Sequence, residues 1–151
     1  MKGVLAALGL AILTLGATTA SGPVKITSDQ FVVDDAQHQA TFTGNVVITR
    51  TSLTMWAAKV VVDYGSDGPQ SIRTLTATGG VRLKTASQTA TGDEAIYDPK
   101  TQILRLTGHV QVSSASGTIG SGDLVIDLKS NLSTFSSGKG GGRVSGVFNP
   151  Q

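Results

Sequence analysis

Apolar and polar positions alternate through three stretches of the chain, each centred on a Thr-Gly-x-Val motif: Thr43-Gly44-Asn45-Val46, Thr78-Gly79-Gly80-Val81 and Thr107-Gly108-His109-Val110. The apolar positions are Ala40, Phe42, Val46 and Ile48 in the first, Leu75, Ala77, Val81 and Leu83 in the second, and Leu104, Leu106, Val110 and Val112 in the third. A period of two with polar residues between predicts half-buried β-strands. The glycine falls each time on the apolar face. A residue without a side chain there leaves room for a bend where a sheet turns a corner.

A second element precedes each motif and ends in aspartate: Gln30-Phe31-Val32-Val33-Asp34, Lys59-Val60-Val61-Val62-Asp63, Glu94-Ala95-Ile96-Tyr97-Asp98 and Asp123-Leu124-Val125-Ile126-Asp127. Its first positions, 30, 59, 94 and 123, are 29, 35 and 29 residues apart. The middle interval is longer by the six residues Gly65 to Gln70, a turn-forming insert. A strand pair therefore repeats along the chain. Turns such as Asp35-Ala36-Gln37-His38 and Pro99-Lys100-Thr101 are too short for a parallel crossover, so the strands run as an antiparallel meander.

Parity changes near Asp29-Gln30, Ala57-Ala58-Lys59 and Gly92-Asp93-Glu94, with small residues Ser28, Ala57, Gly92 and Ser121 at the sites, predict a corner in every repeat. Val24-Lys25-Ile26-Thr27-Ser28, just after Pro23, is expected as a first, edge strand. In the fourth repeat Phe135 keeps its place, but Thr-Gly-x-Val gives way to a glycine-rich loop from Ser136 to Gly142. The segment Arg143-Val144-Ser145-Gly146-Val147-Phe148 beyond it is expected to form the other edge.

The start of the chain reads differently. One lysine, an apolar run from Val4 to Leu15 and the small residues Gly16 to Ala20 predict a secretory signal peptide over residues 1–20, cleaved after Ala20. An uncleaved anchor is the alternative. With no cysteine after the run, lipid attachment there is excluded. Residues 21–151 then make one domain. Threonine, valine, glycine and serine are abundant and aromatics make up 5%, which favours strands over helices and leaves little to stack on nucleic acid bases.

Candidate chemistry is sparse. Asp93-Glu94 and Asp34-Asp35 are adjacent carboxylates, but neighbours on a strand point to opposite faces and need not converge on a substrate. The strand-end aspartates suit turn capping. His38 and His109 stand alone, without a metal-ligand pattern, and no nucleophile elbow or phosphate loop is present. No catalytic residue, metal ligand or cofactor is expected. The net charge is only +2. Arg82, Lys84 and Arg105 on polar faces, with Lys139 and Arg143 beside the glycine loop, read as a solvated face or as a contact for acidic, phosphorylated amphiphiles.

The apolar face is the richest feature. Phe31, Val33, Phe42, Val46, Ile48, Val60, Val62, Leu75 and Val81 in the first half, with Leu83, Tyr97, Leu104, Leu106, Val110, Val112, Leu124, Ile126 and Phe135 in the second, would share one interior if the sheet folds over. Periodicity leaves two readings open: an ordinary closed core, or two walls held apart to admit acyl chains.

The signal, Ile26-Thr27-Ser28-Asp29, Phe42-Thr43-Gly44-Asn45-Val46, Trp56-Ala57-Ala58-Lys59-Val60 and the repeated Thr-Gly-x-Val together resemble the OstA-like family of periplasmic lipopolysaccharide-transport proteins. The resemblance runs from Val24 to about Phe148. It implies an all-β, antiparallel β-jellyroll open at both ends, whose apolar groove, lined by the interior residues just named, carries the acyl chains of lipid A. It also implies a non-enzymatic carrier in the Gram-negative envelope, bridging inner and outer membrane for outer-membrane assembly. The bridge would form by strand pairing at the edges 24–28 and 143–148, with LptC at the inner membrane, with the N-terminal domain of LptD at the outer membrane, and head to tail with itself. The alternatives are a membrane-anchored, LptC-like homologue and a structural β-repeat envelope protein that binds no lipid.

Overall fold

The computed structural model describes residues 23–51, 53–68, 71–139 and 142–150; the expected signal peptide at 1–20 lies outside them. The described residues form ten strands and no helix: β1 (Lys25–Thr27), β2 (Gln30–Asp34), β3 (Gln39–Arg50), β4 (Leu53–Asp63), β5 (Thr74–Lys84), β6 (Gln88–Asp98), β7 (Ile103–Ser114), β8 (Gly117–Asp127), β9 (Leu132–Ser136) and β10 (Ser145–Phe148). All belong to one antiparallel sheet, in which β3 to β8 pair in sequence order.

The sheet is not closed. Its two outermost strands are each interrupted. β1 and β2 lie one after the other along β3, and β9 and β10 do the same along β8. The first break is the short Ser28-Asp29 step and the second the long glycine-rich loop, so the expected edge segments do form edges.

Six long strands share one line of register shifts. Thr43 pairs with Lys59 and Val46 with Ala57, leaving Gly44-Asn45 opposite Ala58. The shift recurs with Gly79-Gly80 opposite Asp93, and with Gly108-His109 opposite Gly122. The odd strands thus insert two residues and the even strands one. Two extra residues preserve the alternation and one reverses it. This explains why the apolar parity flips in β4, β6 and β8 yet runs unbroken through every Thr-Gly-x-Val strand.

Both inserted residues of each odd strand have positive φ: 84° and 48° at Gly44 and Asn45, 85° and 82° at Gly79 and Gly80, 80° and 52° at Gly108 and His109. Glycine is required at the first of them for a further reason. A Cβ on Gly79 would lie 2.5 Å from the Ala58 Cβ. Aspartate occupies the place of Ala58 in the flanking repeats and binds the second inserted residue, Asn45 Nδ2 donating to Asp29 Oδ2 at 3.0 Å and His109 Nδ1 lying 2.8 Å from Asp93 Oδ2.

The corner folds the sheet over, so that the inward faces of two arms oppose each other. Val46, Val60, Val81, Leu106 and Leu124 are almost wholly enclosed. At the far end of the first arm the repeated aspartates cap the hairpins. Asp34 accepts from the Gln37 amide at 3.1 Å, Asp63 from Gly65 at 3.1 Å, Asp98 from Lys100 at 2.8 Å, and Asp127 from Lys129 at 2.9 Å. Each four-residue turn before β3, β7 and β9 ends in a left-handed residue, His38, Gln102 or Asn131.

Candidate functional site

Away from the corner the two arms diverge around an apolar cavity of about 330 Å³. The first arm contributes Leu75, Ala77, Ala95, Tyr97 and Leu104, and the second Ile26, Ile48, Leu53 and Met55. Val24, Ile72, Pro99, Gln102 and Leu128 border it from the strand ends and turns. A cavity of this size falls within the range of small-molecule sites. Its lining can exclude water and hold hydrocarbon, and it presents no constellation for covalent chemistry.

The structure divides the interior residues read from the alternation into three groups. Ile48, Leu75, Tyr97 and Leu104 line the cavity, and all of these but Tyr97 also belong to the buried core. Val46, Val60, Val62, Val81, Leu83, Leu106, Val110, Val112 and Leu124 pack into the buried core, with Phe42, Ile126 and Phe135 partly buried against it. Phe31 and Val33 lie on the edge strand β2, half exposed, and the Phe31 ring stacks on Phe42 with centroids 4.5 Å apart.

Several lining residues escape a motif-centred reading. Leu53 and Met55 open β4 before its parity flip, on the far side of the corner from the Val60-Val62 run. Ile72 lies between the hairpin insert and β5. Arg50 was hidden differently. It continues the inward series 46, 48, 50, where the pattern leads one to expect another apolar residue. Its Nη1 donates to the Tyr97 hydroxyl at 2.9 Å, joining the arms across the cavity.

A second cleft, of about 760 Å³, lies on the outer face beneath the glycine-rich loop, bordered by the charged or polar side chains of Glu94, Arg105, His109, Asp123, Lys139 and Arg143 among others. Arg105 grips Asp123 through two contacts, Nη2 to Oδ2 at 2.6 Å and Nε to Oδ1 at 3.3 Å. Those bonds hold the guanidinium pKa above its already high ordinary value. The Asp93 and His109 side chains are 63% and 90% exposed, so their pairing is a solvated contact at the corner, not a desolvated acid–base pair. Asp34 caps a turn and Asp35 accepts from the Tyr64 hydroxyl at 3.1 Å. Burial, and then that carboxylate, holds the Tyr64 phenol above its ordinary pKa. Among the described residues no group of three or more His, Cys, Asp or Glu side chains could hold a metal ion.

The basic residues expected on polar faces do not form one patch. Arg82 and Lys84 lie in the second arm, where Arg82 covers the Trp56 ring at 4.7 Å, and Arg105 lies in the first.

Both sheet edges carry exposed apolar side chains: Phe31, Val32 and Val33 on β2, Leu132 on β9, and Val147 and Phe148 on β10. Edge strands are ordinarily blunted by charge, proline or covering elements. Among the described residues, the apolar segments 31–33 of β2 and 147–148 of β10 carry neither charge nor proline.

Comparison with known proteins agrees with this architecture. The chain has the fold of LptH, the LptA homologous periplasmic component of the conserved lipopolysaccharide transport device from Pseudomonas aeruginosa, with a TM-score of 0.73 over 85% of this chain and 96% of that one, at 19% identity. An uncharacterized protein of Rhizobium meliloti (strain 1021) is 30% identical over 98 residues, 61% of this chain. The match spans about half of that relative's length, 53%. The profile of the family described as LptA/(LptD N-terminal domain) LPS transport protein matches residues 25–132, from the first edge strand to the start of β9. The chain belongs to that family, an LptA-like, OstA-like β-jellyroll.

Proposed function

We propose that this protein is a periplasmic carrier that shields the acyl chains of lipopolysaccharide between the two arms of its sheet during export to the outer membrane. The observation that carries the reading is the apolar cavity between the arms of an unclosed sheet. Family membership supplies the ligand class, and no covalent step is required of it. Each methylene moved from water into an apolar site is worth about 0.8 kcal/mol, so a chain of about ten contributes on the order of 8 kcal/mol. Escape into water is then slow, and transfer along a continuous apolar path is favoured over release.

The same reading gives the edges their purpose. β1–β2 and β9–β10 each offer unpaired backbone and exposed apolar side chains for strand addition. Their partners are LptC on the inner-membrane side, the LptD N-terminal domain on the outer-membrane side, or a second copy of this chain head to tail. Stacked in that way, cavities of successive domains form one path across the periplasm.

Photocrosslinking residues placed in cells at Ile48, Tyr97 and Leu104, which line the cavity, test the reading against outward positions Thr76 and Gln111. Lipopolysaccharide adducts from the first set alone are expected. Silence at all three, with the protein folded and exported, would leave a structural β-repeat protein as the better account.

A further inference from the structure

Among the described residues that line the apolar cavity, Arg50 and Tyr97 are the ionisable side chains. Its neighbours on the inward face of β3, Val46 and Ile48, are buried, and across the hairpin it pairs with Leu53. The two ion pairs among the described residues, Arg105 with Asp123 and His109 with Asp93, both lie elsewhere. Its partner is the Tyr97 hydroxyl, 2.9 Å from Nη1, with the guanidinium carbon 5.9 Å from that ring's centroid. A half-buried cation is thus held at an apolar rim by a phenol, and among the described residues that hydroxyl takes one of its N–H donors.

A guanidinium presents five N–H donors in a planar fork that matches phosphate or carboxylate oxygens two at a time. A phenol oxygen occupies one of them. Bonds from a guanidinium to an ionised oxygen are roughly twice as strong as those to a neutral one, and the low-dielectric wall beside Arg50 strengthens the attraction. An anion arriving at the rim would therefore displace Tyr97 from the guanidinium. For that anion to arrive with an apolar group in the cavity, it must be the head of an amphiphile.

We infer that Arg50 reads the anionic, phosphate-bearing head of an amphiphile whose hydrocarbon enters the cavity, and that Tyr97 holds the guanidinium in place until that head replaces it. This rests on the acyl-chain reading above and adds selectivity to it: the cavity would distinguish a charged lipid from a neutral one of equal chain length. It also gives the cavity a closed state, because the same contact joins β3 of one arm to β6 of the other.

The test is displacement of the uncharged fluorophore N-phenylnaphthylamine from the full domain, below micelle-forming concentrations, by dodecyl phosphate, by dodecyl maltoside and by inorganic phosphate. Wild type should prefer dodecyl phosphate over the maltoside by about tenfold, about 1.4 kcal/mol. Arg50→Gln should bring that ratio to about one, with displacement by the maltoside retained and a wild-type circular dichroism melt showing that the variant is folded. Arg50→Lys should keep only part of the preference, since an ammonium cannot form the fork. Tyr97→Phe, which removes the competing hydroxyl, should bind dodecyl phosphate more tightly; weaker binding would overturn the exchange of partners. Inorganic phosphate should displace nothing. Displacement by it alone would overturn the lipid-head assignment in favour of a free-phosphate site. If wild type binds both amphiphiles equally, or Arg50→Gln keeps the preference, the role of Arg50 is overturned and the cavity stands. If wild type binds neither amphiphile, the cavity reading falls, and this inference with it.

Discussion

Gly79→Ala should destabilise the domain far more than Gly80→Ala, although the two residues are adjacent and have nearly the same backbone conformation, φ 85° and 82°. The left-handed region costs an alanine about 1–2 kcal/mol at either position. At Gly80 that is the whole cost, because an added Cβ would meet nothing within 4 Å. At Gly79 the added Cβ would sit 2.5 Å from the Ala58 Cβ, closer than two carbons can approach. Forcing β4 and β5 apart at the corner adds a further ~1–3 kcal/mol on the usual scale of overpacking. Gly79→Ala should therefore cost about 2–5 kcal/mol against about 1–2 for its neighbour, out of a total of about 5–15 for a domain of this kind. Urea unfolding followed by circular dichroism, with unchanged m-values, measures both. Ala58→Gly in the Gly79→Ala background supplies the decisive cycle. It should recover the overpacking part as a coupling of about 1–3 kcal/mol, in the range seen for residues in contact. Equal losses at the two glycines, or a coupling near zero, would refute the claim that close approach at the corner selects glycine.

Other outcomes follow from the same geometry. Leu106 is fully enclosed, so Leu106→Ala should cost about 2–5 kcal/mol; a Cβ on Gly92 would lie 2.7 Å from the Leu106 Cγ, so Gly92→Ala should be harmful in wild type and much less so in Leu106→Ala, read by the same unfolding curves. Asp98 is held below its ordinary pKa chiefly by the Thr101 amide, and Asp127 by the Lys129 and Ser130 amides. A carboxyl more acidic folded than unfolded stabilises the fold above its unfolded value, near 3.8, and that contribution is lost as pH falls through the folded value. Thermal melts in that acid range should accordingly fall less steeply in Asp98→Asn and Asp127→Asn than in wild type, and parallel acid limbs would count against the caps. Val32→Lys and Val147→Lys put charge on opposite exposed edges, so each should weaken the proposed head-to-tail association in sedimentation velocity without changing the unfolding midpoint.

What the sequence made legible and what it hid divide along a physical line. Alternation and turn chemistry are local, and they are written plainly: the strands, the hairpin aspartates and the glycine corners can all be read from neighbouring residues. The corner's consequence is less local. Two residues inserted in an odd strand leave its parity intact, whereas the single Ala58, Asp93 or Gly122 opposite reverses its own, and only the pairing shows that these are two sides of one bend. The cavity is the least local feature of all. Val60 and Ile48 carry the same apolar signal and both are buried, yet only Ile48 also lines the cavity between the arms. Periodicity reports which face a side chain takes, not how far the opposing wall stands from it. Arg50 shows the limit most sharply. At the end of β3 it continues an inward-facing series, and its sequence neighbours give no reason for a cation there. The reason lies 47 residues away, in the tyrosine hydroxyl that meets it across the cavity. A charge on an apolar face is therefore the kind of exception to the pattern that is expected at functional sites.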